Sequence, residues 1–252
     1  MKVMAAAAGA CHSAAVGEDG ALFVWGSGEC GELGSGDTTD RLTPTRVAGL
    51  PAPVRQVAAG FNHTGIVTEA GDLLMCGYGD YGQLGLGDEE DRTTPTLVAR
   101  AVFDGEAVLM VACGGKHTVV ATEGGGVYTF GRGWRGLLGH GDEENQLAPR
   151  RVPAAAFNGE RVVMVAAGKL HTVALSEAGH VFTWGYGRNG ELGHGDQEHQ
   201  RAPRQVEAGR FGGEKVVFVA AGNAHTVAVT AGGRTQTLHT LIPCQILVPD
   251  RA

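Results

Sequence analysis

Apolar residues along this chain come in short clusters separated by glycine-bearing turns, and nowhere in the sustained 3.6-residue rhythm of an amphipathic helix. The clearest cluster is Val162-Val163-Met164-Val165-Ala166-Ala167, closed by Gly168. It is too short for a helix and rich in β-branched residues, so it predicts a strand buried on both faces. Thr172-Val173-Ala174-Leu175 predicts a second strand, Ala178-Gly179 a turn, and His180-Val181-Phe182-Thr183-Trp184 a third strand. After Pro203, the extended piece Arg204-Gln205-Val206 makes a fourth. Matching pieces stand near the start of the chain, at residues 3–8, 13–16, 21–25 and 45–47.

The pattern repeats. His63, His117, His171 and His225, each followed by Thr, are spaced 54 residues apart, and His12 precedes the first of them by 51. The same step carries the glycine run from Trp184 to Asp196 back onto residues 130–142 and 76–88, and a step of 51 carries it onto 25–37. Four-stranded units recurring at roughly 40 to 50 residues are the mark of a β-propeller, so the predicted fold class is all-β.

The compound motif, Ala-Gly-x-x-His-Thr, then a strand pair, then Trp-Gly-x-Gly-x-x-Gly-x-Leu-Gly-x-Gly-Asp, resembles the repeat of the regulator of chromosome condensation family over about residues 3–230. The resemblance implies a propeller of the seven-bladed type. Here the units fall at about 1–50, 51–104, 105–158 and 159–212, with a partial unit at 213–233 and a non-repeat tail at 234–252. The expectation is one domain of four complete blades plus a partial fifth, an incomplete ring. Val216, Val217, Phe218 and Val219 would then need cover, from tail residues Leu238, Leu241, Ile242, Ile246 and Leu247 or from a second copy of the chain.

Because equal positions in every unit are architecture first, most candidate chemistry dissolves into scaffold. Gly26-x-Gly28-x-x-Gly31 spells a dinucleotide fingerprint, but that motif needs a helix after it, and the following Leu-Gly-x-Gly-Asp forbids one. No cofactor is expected. The five histidines sit one per unit and read as ties between a strand and its neighbour's backbone rather than as metal ligands. Asp37, Asp88, Asp142 and Asp196 end each glycine run as turn caps. Behind two of them, Asp88-Glu89-Glu90-Asp91 and Asp142-Glu143-Glu144 form acidic loops that admit a basic protein as partner.

Specific function is sought where otherwise identical units disagree. In the glycine run these positions include Glu29-Cys30, Asp80-Tyr81, Trp134-Arg135 and Arg188-Asn189, and in the Gly-x-x-His turn they include Ala10, Phe61, Lys116, Lys169 and Asn223. Loop residues on a rigid sheet are where binding resides, and Trp and Arg are favoured in binding hot spots. Tyr81, Asp80, Trp134, Arg135, Arg188, Asn189, Phe61, Lys116 and Lys169 are therefore the candidate partner-binding residues. No nucleophile and base recur outside the repeat pattern, so no catalytic residue is assigned and the reading is a non-enzymatic interaction module.

The family resemblance supplies alternatives. One is nucleotide exchange on a small Ran-like GTPase, although exchange-active members carry a wedge-like insertion for which the regular repeat steps leave no room. Another is the recognition part of a ubiquitin ligase, since giant HECT ligases contain similar propellers. Light-sensing members carry tryptophan in the Gly-x-x-His turn, where this chain has Ala10, Phe61, Gly115, Lys169 and Asn223, so that mechanism is set aside.

Charge and cysteine usage narrow the partners. The net charge is −7 with no basic tail, which opposes direct nucleic-acid binding. The five cysteines form no C-x-x-C pair and read as reduced thiols of an intracellular protein, cytoplasmic or nuclear. No apolar run approaches the roughly 18 residues of a membrane helix.

Overall fold

Short β-branched clusters joined by glycine turns can satisfy their backbones only by pairing with the next cluster along the chain, and the result is a series of antiparallel meanders. The computed structural model describes residues 2–238. The first sheet contains β1 (Val3–Ala8), β2 (His12–Gly17), β3 (Leu22–Gly26) and β4 (Arg41–Arg46). The second contains β5 (Val54–Ala59), β6 (His63–Thr68), β7 (Leu73–Gly77) and β8 (Arg92–Val98). In the third are β9 (Val108–Cys113), β10 (His117–Thr122), β11 (Val127–Gly131) and β12 (Gln146–Arg151). In the fourth are β13 (Val162–Ala167), β14 (His171–Ser176), β15 (Val181–Gly185) and β16 (Gln200–Gln205). A fifth sheet is built from β17 (Val216–Ala221), β18 (Thr226–Thr230) and β19 (Thr235–Leu238).

This corrects the expected blade count. Among the described residues the fold is an all-β propeller of five sheets, not four complete blades plus a partial fifth of a seven-bladed type. The difference lies in Thr235-Gln236-Thr237-Leu238, which lacks the aromatic-glycine signature and so falls by sequence in the non-repeat tail. Strand addition uses backbone N–H and C=O groups, so these residues pair with β18 in the ordinary register, Thr226 opposite Leu238 and Val229 opposite Thr235. Leu238 is buried there, in the position that Trp184 holds in the fourth sheet. The proposed cover residues Leu241, Ile242, Ile246 and Leu247, like Cys244, lie outside the described residues.

The second strands β6, β10 and β14 are buried along their whole length, and successive sheets pack face to face through them. The core is continuous across the joints: Val119 and Val127 of the third sheet share a cluster with Phe182 and Trp184 of the fourth. Sequence patterning missed the short 3₁₀ turns at Arg100–Phe103, Ala154–Phe157 and Ala208–Phe211. Each sets one phenylalanine into the core, and Phe157 meets both Phe182 and Trp184 edge-on. The flanks differ from the middle, for Val3 and Met4 on β1 and Val217 and Phe218 on β17 remain half-exposed or more.

The fourth strands run through their prolines rather than starting after them. Pro44, Pro95, Pro149 and Pro203 all lie inside strands, at the outer edge of their sheets where a missing N–H interrupts no ladder.

Candidate functional site

In a meander, the turn between the first and second strands and the loop between the third and fourth open at the same end. Every unit therefore presents its Gly-x-x-His turn and its glycine run on one face.

Beneath that face the repeated residues form the joints. Thr64, Thr118, Thr172 and Thr226 donate their hydroxyl protons to the carbonyls of Glu32, Gln83, Leu137 and Glu191 in the preceding unit, at 2.6 to 3.0 Å. A hydroxyl has one proton, so the same oxygens must accept from Nε2–H of His12, His63, His117 and His171, which lie 2.8 to 3.0 Å away. This fixes the neutral tautomer with the proton on Nε2. Burial lowers these imidazoles to about 3 for His63 and His117 and about 4 for His12 and His171. A second proton on Nδ1 of His12, His117 or His171 would meet no acceptor among the described residues. His225, at the equivalent position of the last unit, is exposed.

The glycine runs are held by a shared set of hydrogen bonds. Gly28, Gly79, Gly133 and Gly187 donate their N–H groups to the side chains of Asp40, Asp91, Asn145 and His199. Buried Glu32, Gln83 and Glu191 accept from the N–H groups of Cys30, Tyr81 and Asn189. The third unit has Leu137 in that acceptor slot. Its loop tightens into a 3₁₀ turn at Trp134–Gly136, and Arg135 takes a left-handed φ of 58°. Gly136 is required by the close approach of the next sheet, since a Cβ there would stand 2.4 Å from Arg201 Cα.

Asp37, Asp88, Asp142 and Asp196 each accept the N–H two residues on, as Asx turns do. Each also pairs with an arginine of the following strand: Arg41, Arg92, Arg150 and Arg204. Glu143 is taken by Arg201. Much of the acidic-loop charge is thus answered within the chain.

Above the joints lies a strip of alternating cations and rings that crosses from the second sheet to the fourth. Lys116 Nζ donates to the Tyr81 hydroxyl at 3.1 Å and sits 4.3 Å above that ring. Arg132 bridges the Tyr81 and Trp134 rings at 5.2 and 5.3 Å, and Arg135 approaches Trp134 at 5.1 Å. Trp134 stacks on Tyr186, and Tyr186 stacks on His199, with ring centroids 5.9 and 4.7 Å apart. Burial, and then the charges of Arg135 and Arg188, lowers the His199 pKa. Lys169 lies toward the central opening, 5.2 Å from the Phe61 ring, and its carbonyl accepts from Gly115 N–H beside Lys116. That opening, about 380 Å³, is lined by small inner-strand residues together with Phe61, Lys169 and Asn223.

Tyr81, Trp134, Arg135, Lys116 and Phe61 are half-buried, while Asp80, Arg188 and Lys169 are exposed. Asp80 accepts from the Tyr78 hydroxyl, and Asn189 turns its amide to Glu191. Glu29 and Cys30 belong to the first sheet and take no part in the strip. Sequence reasoning missed Tyr78, Arg132 and Tyr186, which share one slot with Ser27, and His199, which replaces Asp40, Asp91 and Asn145. Disagreement between units is visible at both slots, the first two residues before the variable pair Arg188-Asn189 and the second three residues beyond the end of the glycine run at Asp196. Among the described residues no group of three or more His, Cys, Asp or Glu could hold a metal ion. Their cysteines are free, and burial raises the Cys113 thiol to about 12.

Comparison with known proteins places this geometry. The RCC1-like domain family model matches residues 1–237. The ultraviolet-B receptor UVR8 of Arabidopsis thaliana is 40% identical over 232 residues, which is 91% of this chain and 51% of the receptor. The human E3 ubiquitin-protein ligase HERC2 is 37% identical over 94% of this chain but only 5% of the ligase. Human WBSCR16 superposes with a TM-score of 0.82 at 28% identity, over 90% of this chain and 57% of its own. Prp20p of Saccharomyces cerevisiae, described with binding properties to Gsp1p and histones, has a TM-score of 0.78 at 23% identity, a likeness of fold. The chain spans about half of UVR8 and a small fraction of HERC2.

Proposed function

Starting from the fact that this chain belongs to the RCC1-like domain family, we propose that it is a protein-interaction module that presents the loop face of its second to fourth sheets to another protein. One observation carries this reading. Residues that repeat between units are consumed in buried joints, whereas residues that differ converge on the continuous strip of Tyr81, Lys116, Arg132, Trp134, Arg135 and Tyr186. A rigid sheet below and half-buried aromatic and arginine side chains above are the composition of interface hot spots.

Two finer readings stay attached to it. Recognition within a ligase-type protein is favoured by the likeness to HERC2, in which such a domain is a small part of the chain. Regulation of a small Ran-like GTPase is favoured by the fold shared with Prp20p. Release of a fluorescent guanine nucleotide from a loaded Ran-type GTPase separates them. The interaction module binds partners without accelerating release, and a catalysed release establishes the exchange reading instead. Self-association through the exposed apolar residues of β1 and β17 is a further arrangement, read by light scattering across a concentration series.

A further inference from the structure

We infer that the cation and ring strip is a docking site for an acidic segment of a partner protein, bound through its carboxylates by Lys116, Arg132, Arg135 and Arg188. This deepens the interaction-module reading and rests on it. The first ground is charge. The chain is acidic overall, and arginines on the outer strands are neutralised repeat after repeat by Asp37, Asp88, Asp142 and Asp196. Among the described residues, Lys116, Arg132, Arg135, Arg188 and Lys169 enter no ion pair, and they gather on one face. A row of unpaired cations on a negative molecule favours a negative partner.

The second ground is geometry. Arg132 and Arg135 lie over the Tyr81 and Trp134 rings, so the aromatic contact holds each guanidinium in place while leaving its edge as a donor fork suited to a carboxylate. Arg135 is also hydrogen-bonded incompletely, since its Nε is enclosed with no acceptor among the described residues.

The third ground separates an acidic protein from a nucleic acid, the other polyanion that cations and aromatics attract. Single-stranded nucleic acids stack their bases on open ring faces. Here Tyr81 is occupied by Lys116 and Arg132, Trp134 by Tyr186 and the two arginines, and Tyr186 by Trp134 and His199.

The test uses the full chain. A fluorescein-labelled deca-glutamate peptide is titrated by anisotropy beside deca-lysine and a ten-residue oligothymidylate. The expected result is saturable binding of deca-glutamate alone, weakened severalfold by raising salt from 50 to 200 mM and at least tenfold by Arg132→Ala with Arg135→Ala. The exposed Arg188→Glu gives a loss in the same direction without disturbing a packed loop, and Lys215→Ala on the fifth sheet gives none. No saturable binding of deca-glutamate, or oligothymidylate binding as tightly, overturns the inference. A photo-crosslinking residue at position 188, followed by mapping of the partner segment, then distinguishes the two levels of the argument. Attachment to an acidic segment supports the inference. Attachment to a neutral or basic segment, or to a second copy of this chain, overturns the acidic chemistry and leaves the interaction reading standing, whereas no protein product counts against both.

Discussion

Lys116 and His117 are neighbours in the chain and belong to opposite worlds. His117 is fully buried, keeps its proton on Nε2 and ties the third sheet to Thr172 of the fourth. Lys116 points outward and reaches back to Tyr81 of the second sheet. Trp184 and Trp134 make the same contrast with larger side chains. Trp184 is enclosed and donates its indole N–H to the Leu137 carbonyl at 3.0 Å, while Trp134 lies half-open between arginines and Tyr186. The joints are alike because each must reproduce the same contact with the next unit. The face is free to vary because nothing in the scaffold depends on it.

Acidification should separate the two regions most strongly. The buried histidines have folded pKa values near 3 to 4, below the unfolded value near 6.5, so the unfolded chain binds their protons first. Their contribution is complete above about pH 6.5 and is lost as pH falls toward the folded values, at roughly 1 to 1.5 kcal/mol per pH unit for each histidine. Urea denaturation between pH 7.5 and 5 checks this, and a flat profile would remove the neutral joint from the account. Trp184→Ala should come next, costing about 3 to 5 kcal/mol through cavity formation and the loss of one of the two hydrogen bonds to the Leu137 carbonyl. A smaller loss of about 1 to 3 kcal/mol is expected for His117→Ala, with a shallower acid slope than the parent. Trp134→Ala should cost less than about 1 kcal/mol while weakening partner binding; equal melting losses for the two tryptophan variants would break the contrast. Last, His225→Ala, at an exposed member of the same series, should lie within about 0.5 kcal/mol of the parent.

Much of the scaffold was legible because repetition turns a weak local pattern into a strong one. The strand pairs around His117 and His171 stand where the β-branched clusters placed them. The fifth sheet was undercounted because Thr235–Leu238 pairs through its backbone, and side-chain motifs carry no signal for that. The histidines read as ties to a neighbour's backbone, whereas His12, His63, His117 and His171 each meet the side-chain hydroxyl of the threonine beside the next unit's histidine and His225 is exposed, because only folding shows which group lies within reach of the ring. On the face, Tyr81, Trp134 and Arg135 stood out by differing from their equivalents. Arg132 and Tyr186 did not, although they connect the others, because stacking across units has no periodicity to read.

The joint also has a direction: each unit offers an imidazole forward and a hydroxyl backward, and no unit recognises which of its siblings it meets. Such a joint is indifferent to the history of the array. Excising or duplicating a stretch of 54 residues would bring a histidine of one unit to the threonine of another and rebuild the same contact, and the 51-residue step from His12 to His63 forms that contact as well. A chain of this kind can gain or lose length by recombination between its own repeats and keep its interior chemistry, so that new faces arise by reshuffling loops over a grammar that stays the same.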